Sequence, residues 1–406
     1  MDIKLSVASH RLLNLINNNI IMKKTIILFA LVTILFSCGK DDNITNPPGT
    51  EFYYTVFDKT YDISTGFSDA SDVLESTQGG YLVAGRSKTG TINSAALLRL
   101  DENGNQLWDR IYANGRSLHS VIEVKGGGYA AVGGVSSGAY IVRTDNDGII
   151  IWEATHIFDY ADNARKIIQT ADGGFLVIAN SNATTVNARL IKLSGNGVQS
   201  WIQIIGGDPT VKIYSVKENA DSTISLIGTS KTFSQPVSWY IKLDKNGNEI
   251  VRISIDLSVV ELGYTFFEYS VHQNSLNNYA GCGANYFFLI NPDGDLITKN
   301  AIEPKEHYEN VTMYSLSPTL NNGFIACGFQ SKYRIIDSTY FSQTSASLFV
   351  FNSEGIFSNS LIIGDTLVNN SATSVIEAKD NSVISAGYKS VSDSKVVIWV
   401  KKIRFR

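Results

Sequence analysis

The sequence predicts an all-β protein built from one unit repeated seven times, and three observations carry that reading. The composition is rich in turn formers and aromatics, with 33 Gly, 19 Tyr and 19 Phe against 7 Pro and 3 Met in 406 residues. An aromatic or apolar residue followed four positions later by Gly recurs as Tyr81/Gly85, Tyr129/Gly133, Ile224/Gly228, Tyr279/Gly283, Phe324/Gly328 and Val383/Gly387. Phe175/Ala179 makes a seventh copy, and the copies stand 45 to 59 residues apart. Downstream of six copies lies an apolar run closed by a Gly turn, from Leu98–Gly104 to Phe349–Gly355. Asn-Gly or Asp-Gly between apolar runs is the strongest short hairpin signal, because Gly takes φ > 0 at little cost.

Each unit reads as four short strands. Strand A opens on a Ser-apolar mark, seen at Ser120-Val121, Ser215-Val216, Ser270-Val271, Ser315-Leu316 and Ser374-Val375. Strand B carries the Tyr…Gly mark, and strand C runs into the Gly turn. Strand D carries a Trp four residues past that Gly in three copies, Trp108, Trp152 and Trp201. Four strands in 45 to 50 residues is the period of a β-propeller blade. The last copy ends with strand C at Ile398–Lys402, so its strand D is missing at that end. It is supplied from the start: Gly49 precedes Tyr53 as Gly104 precedes Trp108, and Tyr53–Phe57 reads as strand D. The expected fold is a seven-bladed β-propeller over 51–406, closed by an N-terminal strand that leaves no free edge in the ring.

The segment ahead of it reads as an address. Met22-Lys23-Lys24 opens a basic region followed by the apolar run Thr25–Phe36, too short to span a bilayer as a helix but suited to a secretory signal. Residues 1–37 are thus a signal peptide whose true start is Met22. Leu35-Phe36-Ser37-Cys38 resembles a bacterial lipobox, which implies lipidation (palmitate included) at Cys38 and a flexible tether over 38–50. Removing residues 1–37, with four bases and one acid, moves the formal charge from −4 to −7. An acidic body argues against nucleic acid as a partner.

The run Gly79-Gly80-Tyr81 … Leu100-Asp101-Glu102-Asn103-Gly104-Asn105 … Trp108 resembles the repeats of uncharacterised propeller lipoproteins of Bacteroidota type, similar in outline to kelch and quinoprotein propellers. The resemblance implies a propeller held by its lipid at the outer membrane or cell surface. It carries no catalytic residues across.

The chemical motifs are weak. Asp101–Asn105 and Asp244–Asn248 have the start of a calcium loop but no distal bidentate acid, so they read as hydrogen-bonded hairpin turns. The histidines have no paired spacing, and no metal or other cofactor is expected. Cys282 and Cys327 sit at equivalent positions of neighbouring copies and read as buried free thiols. The recurring Trp residues read as packing between blades. Variable D–A and B–C loops, longest at 254–267, 299–312, 329–346 and 358–371, mark one face for binding. Glu303–Glu309 gathers acids, His307 and Tyr308, the arrangement a carbohydrate-active enzyme would need. The favoured candidate is instead the position before the Ser-Val mark, which reads His119, Arg165, Tyr214, Tyr269 and Tyr314 in copies two to six, with Ser71 and Thr373 in the others. Varied, large, hydrogen-bonding side chains in an otherwise uniform repeat mark a binding surface at the mouth of the central channel. The function expected is therefore non-catalytic binding of a glycan or an envelope protein. A surface glycosidase or lyase, and a structural subunit of an outer-membrane complex, are the alternatives.

Overall fold

The structure is a computed structural model that describes residues 53–405, apart from 65, 136–137, 159–161, 182–186, 207–210, 232–235, 256–269, 337–338 and 393. All described residues belong to the unit Glu51–Arg406. The signal peptide, Cys38, the tether and Tyr269 lie outside the described residues.

The described chain is all β. Strand β1 (Tyr53–Tyr61) comes first. Six sequential groups of four follow: β2 (Phe67–Glu75), β3 (Tyr81–Thr89), β4 (Ile92–Leu100), β5 (Gln106–Asn114); β6 (Ser120–Glu123), β7 (Tyr129–Val135), β8 (Gly138–Thr144), β9 (Ile150–Ile157); β10 (Asp162–Gln169), β11 (Phe175–Ser181), β12 (Ala188–Leu193), β13 (Gln199–Ile205). The chain continues with β14 (Val211–Glu218), β15 (Ile224–Lys231), β16 (Pro236–Leu243), β17 (Glu249–Ile255); β18 (Ser270–Gln273), β19 (Tyr279–Gly283), β20 (Tyr286–Ile290), β21 (Leu296–Ala301); β22 (Asn310–Pro318), β23 (Phe324–Ile336), β24 (Thr339–Phe351), β25 (Phe357–Ile362). Three strands remain, β26 (Asn370–Glu377), β27 (Ser382–Ser392) and β28 (Lys395–Phe405). Within each group, consecutive strands pair antiparallel. The partner of β28 is β1, antiparallel from Tyr53↔Phe405 to Tyr61↔Ile398.

The innermost strands follow one another in a cycle. Strand β2 lies against β6 and β26, and β10, β14, β18 and β22 fill the places between. Apolar clusters occupy the gaps between neighbouring groups, so each sheet is covered on both faces. That is why strands B and C read as near-continuous apolar runs instead of alternating ones. Residues Tyr81–Ala84 and Ala95–Leu98 are buried throughout. One cluster joins Val73 and Tyr81 of the first group to Ile384 and Val400 of the last, with Phe57 and Tyr61 of β1 inside it.

Two repeated contacts join the groups. The strand D aromatic lies under the Gly turn of the next group: a Cβ on Gly148 would stand 2.9 Å from the Trp108 ring, and one on Gly197 would stand 2.8 Å from Trp152. Phe57 does the same to Gly104. Tyr112 Oη donates to the Gly148 carbonyl at 3.0 Å, and Tyr61 Oη to that of Gly104 at 2.7 Å. The N-terminal strand is therefore strand D, but in a different register from the sequence expectation. Phe57, opposite Lys402, takes the place of Trp108, opposite Arg99, and Tyr53 stands four residues earlier. The other contact is a carboxylate or amide at the end of strand A that accepts from the A–B turn of the preceding group. Thr77 N donates to Glu123 Oε2 at 2.8 Å, Lys125 N to Gln169 Oε1 at 2.8 Å and Ala171 N to Glu218 Oε2 at 2.6 Å. Lys379 N closes the cycle on Glu75 Oε2 at 3.0 Å.

One expected loop is not a loop. Residues 329–336 and 339–346 continue β23 and β24, paired antiparallel from Phe329↔Ala346 to Ile336↔Thr339. Gln330, Ser331 and Ser345 at their base are buried, because segment 305–309 packs there through Lys305 N to Gln330 Oε1 and Glu309 N to the Ser331 carbonyl. Polar, β-compatible residues had hidden a strand whose cover comes from another segment.

Candidate functional site

Strand A carries the site because it carries a bulge. In β2, Ala70 pairs with Gly85 and Asp72 with Ala84, which leaves Ser71 extra. The same break leaves Arg165 extra in β10, Tyr214 in β14, Tyr314 in β22 and Thr373 in β26. His119 holds the equivalent place one residue before β6, its N donating to the Val132 carbonyl at 2.7 Å. A bulge breaks the in–out alternation and re-aims its side chain. It also accounts for the strand B glycine. A Cβ on Gly133 would lie 1.8 Å from the Ser117 carbonyl oxygen, and one on Gly328 would lie 1.8 Å from that of Thr312. The third group keeps the bulge with Ala179 at that place.

The bulges open on one cavity of about 480 Å³ along the axis, to which the A strand of each described group contributes. His119, Arg165, Tyr214 and Tyr314 line it, with Ser71 and Thr373. Ser71, Arg165, Tyr214, Tyr314 and Thr373 are the fourth or fifth residues of their strands, and so lie inside the channel instead of at its mouth. The residues ahead of the Ser-Val mark already pair with strand B, which sets the site back from the rim.

Sequence reasoning missed five titratable members of the lining, Asp69, Asp72, Lys166, His272 and Tyr388. Two were legible. The Ser of the Ser-Val mark is replaced by Asp72 in the first copy and by Lys166 in the third. Asp72 acts as a junction: its Oδ1 accepts from Val73 N and Ser374 Oγ, and its Oδ2 accepts from Val121 N at 3.0 Å. Asp69 is held by Arg86, whose Nε and Nη2 donate to it at 2.9–3.1 Å; burial nonetheless raises its carboxyl above the usual range. His119 has both nitrogens engaged. Nδ1 donates to the Ala164 carbonyl at 2.9 Å, since a carbonyl only accepts, and Nε2 then accepts from Ser117 Oγ at 3.0 Å. Burial, reinforced by the Arg165 charge, lowers its pKa to about 4. Burial and the Lys166 charge lower that of His272 to about 3. Both rings are neutral at neutral pH.

The remaining motifs fall elsewhere. Asp101 Oδ1 accepts from Asn103 N at 2.9 Å and Asn105 N at 2.7 Å, and Asp244 Oδ1 accepts from Asn246 N and Asn248 N at 2.8 Å. These carboxylates serve their own turns. Cys282 and Cys327 are buried and form no disulfide. In Glu303–Glu309, the Glu306 and His307 side chains are 91% and 84% exposed, so no cleft encloses that carboxylate. Among the described residues, no group of three His, Cys, Asp or Glu side chains is placed to hold a metal ion.

These features define a β-propeller-like all-β protein with a polar, aromatic-lined axial cavity. No family model matches the chain, and no curated protein does. Among solved structures it is similar to a protein of unknown function from Bacteroides caccae (16% identity over 71% of this chain and 95% of that one, TM-score 0.46). It is similar also to one of unknown function from Dyadobacter fermentans (11% identity, 89% and 100%, TM-score 0.47). Sqt1 from Chaetomium thermophilum aligns at 9% identity over 86% of this chain and 100% of that one, with a TM-score of 0.50. At such identities the likeness concerns fold alone.

Proposed function

We propose that this is a seven-bladed propeller, closed by β1 and held by a lipid on Cys38 at the outer membrane or cell surface, that binds a small ligand in its axial cavity without chemical change to it. One observation supports the binding role above the others. The strand A bulges turn a set of dissimilar, hydrogen-bonding side chains toward a single cavity, whereas the strand B position that makes room for each bulge holds Gly in every copy but the third. The lining mixes tyrosine rings with Ser and Thr hydroxyls. That combination suits a glycan, whose faces are apolar and whose edges are hydroxyls.

The test is a glycan array probed with the wild-type protein and with Tyr214→Ala/Tyr314→Ala. Both tyrosines are only partly buried, so the double variant keeps its melting temperature within a few degrees and loses binding. A double variant that binds the array as the wild type does ends the proposal.

A further inference from the structure

The axial cavity is not electrically uniform. Its acids stand on the first group, at Asp69 and Asp72, and its bases stand together on the third, at Arg165 and Lys166. The acids are committed within the fold, Asp69 to Arg86 and Asp72 to Val73 N, Val121 N and Ser374 Oγ. Lys166 makes no ion pair among the described residues, and its charge is felt by His272 two groups further round. Arg165, beside it on the same bulge, acts likewise on His119. Both histidines are neutral, so they neither add to this positive charge nor offset that of Lys166. An ammonium group that loses water on ligand entry costs free energy unless an anion meets it. The rest of the lining is hydroxyls and rings: Ser71, Thr373, Ser315, Tyr214, Tyr314 and Tyr388. At about 480 Å³ the cavity falls in the roughly 300–1,000 Å³ range of small-molecule sites, large enough for one or two sugar rings.

We infer that the cavity takes a carbohydrate bearing a carboxylate, a uronate, with the carboxylate at Lys166 flanked by Arg165 and the hydroxyls met by the Ser, Thr and Tyr side chains. This rests on the binding role proposed above and adds the charge of the ligand. A carboxylate met by an ammonium forms charge-assisted hydrogen bonds, about twice as strong as neutral ones.

The test uses the full-length protein in detergent, titrated calorimetrically with glucuronate and with glucuronamide, an uncharged analogue of the same shape. Glucuronate binds at least tenfold more tightly than the amide, and the difference narrows as salt is added. Lys166→Gln removes the difference without lowering the melting temperature, and Lys166→Arg restores most of it. Equal binding of acid and amide overturns the uronate assignment while leaving the cavity a binding site. A preference that survives Lys166→Gln also overturns it, as does failure of both compounds to bind at millimolar concentration. The tyrosine variants on the array judge the binding role separately.

Discussion

At the scale of single residues, His119 and His272 show what burial in the channel does to a titratable group. A histidine in an unfolded chain takes up its proton near pH 6.5, whereas the folded protein holds His119 to about 4 and His272 to about 3. Between those values the unfolded chain binds protons that the folded chain does not, so stability is lost as pH falls from 6.5 toward 4. The loss is on the order of 2 kcal/mol per histidine, and the curve is flat above pH 7. Acids contribute in a lower window. Asp172, held to about 2 by Lys192 and Thr170, gives stability above the ordinary carboxylate value that is lost only as pH drops from 3.8 toward 2. Urea titrations at pH 7 and pH 5 therefore show a stability difference in the wild type that is absent from His119→Gln/His272→Gln. Equal wild-type stability at the two pH values would contradict the assignment.

At the scale of elements, strand β1 has more partners than its position at the start of the described chain suggests. Phe57 packs on Tyr81 and Gly104, and Tyr61 donates to the Gly104 carbonyl. Asp58 accepts from Trp399 Nε1 at 2.7 Å and pairs with Lys401 at 3.0 Å. These contacts join the last group to the first. Deletion of residues 53–61 bares the β28 edge, and the truncated protein is expected to lose thermal stability sharply or to dimerise by exchanging strands. Phe57→Ala alone costs about 3 kcal/mol, the usual cost of emptying an aromatic site. Differential scanning calorimetry with light scattering decides the matter: a truncated monomer with an unchanged melting temperature would mean that β1 does not hold the ring.

At the scale of the whole molecule, the repeat leaves the axial strands free to differ. Packing between groups is carried by apolar residues of all four strands, strand A included, and by turns whose glycines admit the neighbour's aromatic ring. Strand A faces the axis through its bulges, so its bulged residue varies from Ser71 to Tyr314 without disturbing the sheets. The proposed lipid acts at this same scale, since it would set where the protein resides without touching its core. Cys38→Ala is expected to shift the protein from the detergent phase to the aqueous phase on Triton X-114 partitioning and to leave its melting temperature unchanged. A variant that stays in the detergent phase would remove the anchor.

The sequence by itself determined the all-β class, the four-strand unit, the supply of a last strand from the N-terminus, and six of the residues that line the cavity. Each of these is written locally: a Gly that a bulge or turn requires, an apolar run that two covered faces require, a column of large, dissimilar residues ahead of a recurring Ser-apolar mark. The tertiary structure alone decided the register of β1, because a four-residue slide leaves another aromatic in reach and only the Gly104 turn and the Lys402 pairing select Phe57. It alone showed 329–336 and 339–346 to be paired strands, since the segment that covers their polar base lies over twenty residues upstream. It alone brought Asp72, Lys166, His272 and Tyr388 to one cavity. Their charges and distances depend on strands far apart in the chain that meet only when the ring of A strands is complete.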